Sequence, residues 1–217
     1  MKISRRFATL AGAAMTLATA TAGAQGFSPT GKDTTALGID NRWTVTCSVL
    51  AGGPACPTDG QASVVWATPA GWLPVPNVDG AHYISATHTG SIWPDAPGET
   101  AEYRYVFTTT FAADPSGWAR FNVFGLDNYY VSGFLNGNAF TVTPPPAAPN
   151  GGNWMTPFML TSTSGLQANN TLVLTIDGNG RTDGILVSGL TTPEPSSIAL
   201  LGTGLFGLVP MIRRKRK

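Results

Sequence analysis

The chain has 217 residues, with 13 Lys and Arg against 12 Asp and Glu, 42% apolar residues, 26 Gly and 17 Pro. The near-neutral total hides a segregation: residues 25–192 hold five cations (Lys32, Arg42, Arg104, Arg120, Arg181) against eleven acids, a net of −6, and the other cations sit at the two ends. An acidic middle without clustered Lys or Arg argues against a nucleic-acid partner, since phosphate binding needs grouped cations.

Met1 to Ala24 places Lys2, Arg5 and Arg6 ahead of an apolar stretch, Phe7 to Ala20, and closes on Ala22-Gly23-Ala24. That order predicts a cleaved export signal with the mature start at Gln25. The stretch is too short and too rich in Ala and Thr to be a comfortable membrane anchor.

The roughly 170 residues that follow suit one domain, which would bury roughly 70% of the surface its unfolded chain exposes. Few charges and many Gly, Pro, Thr and aromatics favour strands joined by tight turns. Arg42 to Leu50 and Ala62 to Trp66 read as strands. Between them lie Cys47 and Cys56, the only cysteines, with eight residues including Gly52-Gly53-Pro54 in between. In an oxidising compartment that spacing reads as a disulfide pinching a turn, with two free thiols or half a metal site as alternatives. His82 and His88 could share one strand face, but no third ligand is evident near them, so no metal is expected.

Pro69 to Gly98 is mostly loop, with a short strand at Tyr83 to Thr87. Tyr103, Tyr105, Phe107, Thr109 and Phe111 then alternate with Glu102, Arg104, Val106, Thr108 and Thr110, the period-2 signal of a half-buried strand. Turn residues Asp114-Pro115-Ser116-Gly117 lead to Ala119 through Asp127, and Asp127-Asn128 to Tyr129 through Leu135. Asn136-Gly137 suits a type I′ hairpin into Ala139 to Thr143, so a meander of at least three strands is expected. Pro144 to Gly152 has linker composition but is read as a loop within the domain, because the forty residues after it cannot bury a core alone. They carry strands at Trp154 to Thr161, Thr171 to Asp177 and Ile185 to Leu190, the last two turned as a hairpin by Asp177-Gly178-Asn179-Gly180. The stretch Asp177 to Gly184 also has the oxygen-rich look of a calcium loop, but Arg181 occupies a ligand position, Thr182 replaces the required Gly and the closing Glu is missing.

From Ser91 to Leu190 the order of Trp93, Tyr103–Phe111, Phe121–Asn128, Phe134–Gly137, Trp154, Asn170–Ile176 and Gly184–Val187 resembles the galactose-binding-like jelly roll. The resemblance implies an all-β fold, an antiparallel β-sandwich over residues 25–192, of a kind common in carbohydrate-active and surface proteins. Sugar recognition rests on aromatic faces framed by hydrogen-bonding side chains. Trp72 and Trp93, in Pro/Gly-rich loops beside Asn77, Asp79 and Asp95, are the candidates, with Tyr129 as a weaker one. Core packing is the competing role for every tryptophan. No nucleophile motif, metalloprotease motif or phosphate-binding loop occurs, so neither catalysis nor a cofactor is expected.

The tail, Pro193 to Lys217, has three parts. Pro193-Glu194-Pro195 is stiff and short of backbone donors. Ser196 to Ile212 is uncharged and rises ~25 Å as a helix, enough to span a bilayer with slight thinning. Arg213 to Lys217 pins the end in the cytoplasm. This pattern resembles the PEP-CTERM sorting signal. It implies an exosortase as processing partner, an inner-membrane intermediate in a Gram-negative cell that makes exopolysaccharide, and a destination at the envelope or in the matrix.

Overall fold

Alternation in residues 102–111 becomes strand β4 (Glu102–Ala112), whose Tyr103, Tyr105, Phe107, Thr109 and Phe111 are all buried while Glu102 and Thr110 are exposed. A pleated backbone sends successive side chains to opposite faces, so one face of such a strand must find a core. The computed structural model describes residues 26–35, 38–56, 60–65, 80–92, 102–115, 117–127, 129–145, 157–181 and 183–192. The expected signal peptide, Trp72, Trp93, Asp95 and the whole tail lie outside them.

Besides β4, the described residues form β1 (Ile39–Ala51), β2 (Gln61–Val64), β3 (Ile84–Ser85), β5 (Arg120–Asp127), β6 (Tyr129–Leu135), β7 (Asn138–Thr143), β8 (Phe158–Ser162), β9 (Asn169–Gly178) and β10 (Gly184–Thr191). No helix occurs among them. The strands close into a barrel in the order β1-β2-β3-β10-β5-β8-β7-β6-β9-β4, with every neighbouring pair antiparallel. Closure leaves no free outermost strand.

The central pairing is nested. β6 pairs with β7, β5 with β8 and β4 with β9, and the ribbon is rolled so that β6 also lies beside β9 and β7 beside β8. This corrects the expected meander: β4 does not pair with β5, nor β5 with β6, and only the β6–β7 hairpin forms as read. The expected final hairpin is corrected too, since β9 pairs with β4 and β6 while β10 pairs with β3 and β5. Period-2 alternation tells which face of a strand is buried, and it is the same whichever strand lies alongside. At the tight β6–β7 hairpin, Asn136 (φ 52°) and Gly137 (φ 80°) both take the positive angles that a type I′ turn demands.

The barrel is filled by aromatics and branched aliphatics. Trp43 and Val45 of β1, the inward face of β4, Phe121 and Val123 of β5, Leu160 of β8, Leu172, Leu174 and Ile176 of β9, and Ile185 and Val187 of β10 form one buried cluster. Phe27, ahead of the first strand, packs edge-on against Phe121 and Phe111 with ring centroids 5.2 and 5.3 Å away, and against Trp43 at 6.3 Å. The segment carrying it is laced in: Gly26 N–H donates to Ala112 O at 2.8 Å, Thr30 N–H to Val187 O at 3.0 Å, and the Thr30 hydroxyl donates to His82 O at 2.8 Å while accepting from Val187 N–H at 3.0 Å. β10 is buried on both faces, with Leu186 turned outward under Val65, Ala81 and Tyr83. Its continuous Ile-Leu-Val run is the composition such a strand needs.

Cys47 and Cys56 have Sγ atoms 1.96 Å apart and Cα atoms 5.6 Å apart, at disulfide distance. Closing so short a loop removes freedom from the unfolded chain worth about 2.5–3 kcal/mol. Adding a reductant is therefore expected to lower the denaturation free energy by about that amount, read from denaturant titrations with and without dithiothreitol. An unchanged midpoint would show that the bridge does not constrain the unfolded chain.

Candidate functional site

One end of the barrel gathers three loops. The disulfide loop reaches over β4, where the Tyr103 hydroxyl donates to Pro54 O at 3.1 Å. The connection from β9 to β10 closes on Asp183, which is buried and accepts from the Tyr105 hydroxyl at 2.6 Å, Gly180 N–H at 2.6 Å and Asn179 N–H at 3.2 Å. Burial first, and the neighbouring Asp183 carboxylate second, push the Tyr105 phenol far above its usual value, so it stays a donor. Gly180 sits against the Tyr103 ring at φ 78°, where any Cβ would collide with that ring. The loop before the expected Trp93 site joins the same end: Ile92 N–H donates to Gly180 O at 2.9 Å and Asp183 N–H to Gly90 O at 2.7 Å. Asp183 thus works as the clamp of a crossover turn.

The remaining parts of the calcium-like stretch are also engaged. Asp177 receives a bidentate pair from Arg104, Nε and Nη2 each at 2.7 Å, and this contact raises the guanidinium pKa further. Asn179 Oδ1 accepts from Arg181 N–H at 3.0 Å. Among the described residues, no group of three or more His, Cys, Asp or Glu could hold a metal ion. His82 and His88 serve different places: His82 backbone binds Thr30, and His88 Nδ1 lies 3.2 Å from Val64 O.

Of the proposed glycan contacts, Trp72, Trp93 and Asp95 fall outside the described residues, and Tyr129 is half-buried opposite Asp177 in the β6–β9 pairing. Its neighbour Tyr130 turns the other way, onto Phe158 at 5.5 Å, and burial pushes its phenol up to about 12. Trp43 belongs to the core, donating Nε1–H to Ser28 O at 3.0 Å. Trp118 is half-buried with the Arg120 guanidinium 4.7 Å over its ring.

Sequence reasoning passed over a polar cleft beside the start of β1. Lys32, Asp33, Thr34, Asn41 and Arg42 line an open space of about 460 Å³. The adjoining Asp40 is buried and accepts from Gly31 N–H at 2.6 Å, Arg42 N–H at 2.7 Å and Trp43 N–H at 3.1 Å. Burial lifts the Asp40 carboxyl above the ordinary carboxylate range, against the downward pull of those three donors. The available signal was charge spacing: two of the five cations in residues 25–192 lie ten positions apart here.

The described residues therefore define an all-β antiparallel barrel whose last strand, β10, runs out at Thr191. Residues 191–217 match the PEP-CTERM protein-sorting motif. The motif implies export, a membrane-anchored intermediate in a Gram-negative bacterium, and processing by an exosortase. No curated protein and no solved structure matches the chain. Among the described residues no helix is long and apolar enough to cross a membrane, and the span expected at Ser196 to Ile212 lies outside them.

Proposed function

We propose that this protein is a non-catalytic β module that an exosortase delivers to the cell envelope or extracellular matrix, where it associates with exopolysaccharide. The observation that carries the reading is the sorting motif beginning at the last residue of the last strand. The nested pairing of β4 through β9 supports the galactose-binding-like jelly-roll reading. Support for a binding module over a hydrolase comes from the acids: Asp40 and Asp183 are buried and occupied by N–H and O–H donors, and Asp177 is held by Arg104.

Replacing Pro193, Glu194 and Pro195 together with alanine is expected to leave uncleaved precursor in the membrane fraction, measured by immunoblotting of fractionated cells. Normal trimming and delivery of that variant would remove the sorting reading. A second reading, a matrix component without sugar selectivity, is favoured by Val49, Leu50 and Val131, which stand 40%, 45% and 40% exposed on the barrel's outside. Self-association of the protein without glycan, seen in sedimentation, separates it from the first.

A further inference from the structure

The open cleft beside β1 gathers polar side chains whose hydrogen-bonding capacity is largely unused by the described residues. Arg42 gives Nε–H to Asp33 at 3.2 Å, and among the described residues neither of its Nη groups has a hydrogen-bond partner. That ion pair is half-exposed and contributes little to stability, so its members are free to engage a ligand. Among the described residues, the Lys32 ammonium, the Asn41 carboxamide and the Thr34 hydroxyl likewise have no side-chain hydrogen bond.

The backbone that carries these groups is hydrogen-bonded on both sides of the turn. Thr34 and Asp40 form an antiparallel bridge, Asn41 N–H donates to Asp33 O at 2.8 Å, and Thr35 N–H donates to Ile39 O at 2.8 Å. Below them the buried Asp40 carboxylate ties Gly31, Arg42 and Trp43 into one unit, and Trp43 is anchored in the core. The backbone positions from which these side chains extend are thereby fixed relative to one another, which lowers the ordering that binding must make up.

Charge selects the ligand. Asp33 and the buried Asp40 match Lys32 and Arg42 in number, but Asp40 is turned onto the Gly31, Arg42 and Trp43 N–H groups, so the charges presented to solvent are Lys32, Arg42 and Asp33, on a domain whose residues 25–192 carry −6. The planar Nη edge of an arginine matches a carboxylate in a bidentate way, and a nearby ammonium adds a point charge. Asn41, Thr34 and the spare lone pairs of Asp33 offer the donor and acceptor mixture that sugar hydroxyls use. The space is open to solvent, which suits one unit of a chain lying across the surface rather than an enclosed small molecule.

We infer that the Lys32–Asp33–Thr34–Asn41–Arg42 cleft binds a carboxylate-bearing sugar residue of an acidic polysaccharide, with Arg42 and Lys32 on the carboxylate and Asn41, Thr34 and Asp33 on the ring hydroxyls. This rests on the glycan-associated function proposed above and names both the ligand class and the place.

The test titrates the full-length protein, in detergent micelles, with oligogalacturonate and oligoglucuronate and with their carboxyl-reduced, uncharged counterparts. The acidic oligomers are expected to bind, Lys32→Gln or Arg42→Gln to weaken them about tenfold each, and added NaCl to weaken them further. Arg120→Gln and Arg181→Gln, cations elsewhere on the barrel, are expected to leave binding unchanged. All four side chains are exposed, so circular dichroism is expected to show the same fold. Equal binding of acidic and reduced oligomers, or binding indifferent to Lys32 and Arg42, overturns the cleft assignment and leaves glycan association standing. Failure of the folded protein to bind any of these sugars overturns both.

Discussion

Asp183→Ala is expected to destabilise the barrel by about 3–5 kcal/mol, read from denaturant unfolding. The carboxylate is buried and holds three donors, from Tyr105, Gly180 and Asn179. Alanine strands all three, and an unsatisfied buried donor costs about 1–3 kcal/mol. Gly180 also carries the bond to Ile92, so loosening it frees the loop that leads toward residue 93. Asp183→Asn offers no rescue, because its amide nitrogen would face a donor. Combining Asp183→Ala with Tyr105→Phe removes one stranded donor, so the pair is expected to lose less than the sum of the single changes. A loss under about 1 kcal/mol for Asp183→Ala would mean that water reaches these donors and the clamp is unnecessary.

The second large effect is at Phe121, fully buried where the N-terminal segment meets β4, β5 and β7. Its ring meets Phe27 at 5.2 Å, Phe140 at 5.6 Å and Phe111 at 6.1 Å, each in an edge-on arrangement. Truncation to alanine removes the ring and leaves a hole that the closed sheet cannot collapse to fill, an expected loss of about 3–5 kcal/mol. Phe121→Leu keeps most of the volume and is expected to cost about 1.5 kcal/mol or less. Hydrogen exchange at Gly26, whose N–H is bonded to Ala112, is expected to accelerate more in the alanine variant than exchange at β9. Equal acceleration at both places would show that Phe121 does not single out the N-terminal segment.

Strands were legible wherever alternation was strong. Residues 102–111 and 171–177 announce their faces through alternating large apolar side chains, and β4 and β9 follow them closely, while 129–135 was marked by its flanking Asp127-Asn128 and Asn136-Gly137 turns and becomes β6. β2 and β3 are short, at four and two residues, and the predicted strand at Tyr83 to Thr87 shrinks to Ile84–Ser85, because its neighbours bind loops and cover the outside of β10. The order of strands was not legible: pairing across the nested ribbon joins Glu102–Ala112 to Asn169–Gly178, residues too far apart for any local pattern to mark.

Site legibility was uneven for similar reasons. The tail declares itself through composition, a property of one continuous stretch, and the matched motif spans it. Asp183 was read within an oxygen-rich loop, although a buried Tyr105 on the inward face of an alternating strand needs an acceptor, and an acid just ahead of an Ile-Leu-Val run could have been recognised as one. The cleft needs Lys32 and Arg42 brought together by a turn whose organiser, Asp40, gives no periodic signal.

One consequence follows from where β10 stops. It lies between β3 and β5 in the ring, and its final residue, Thr191, is two positions ahead of Pro193. At ~3.3 Å per residue, two residues of chain reach roughly 7 Å at most, so an enzyme that processes the motif works with the folded body at its doorstep. All ten strands of the described residues end at or before Thr191, so severing the chain past Thr192 leaves each of them in place: release by the processing enzyme and unfolding are separate events for this body.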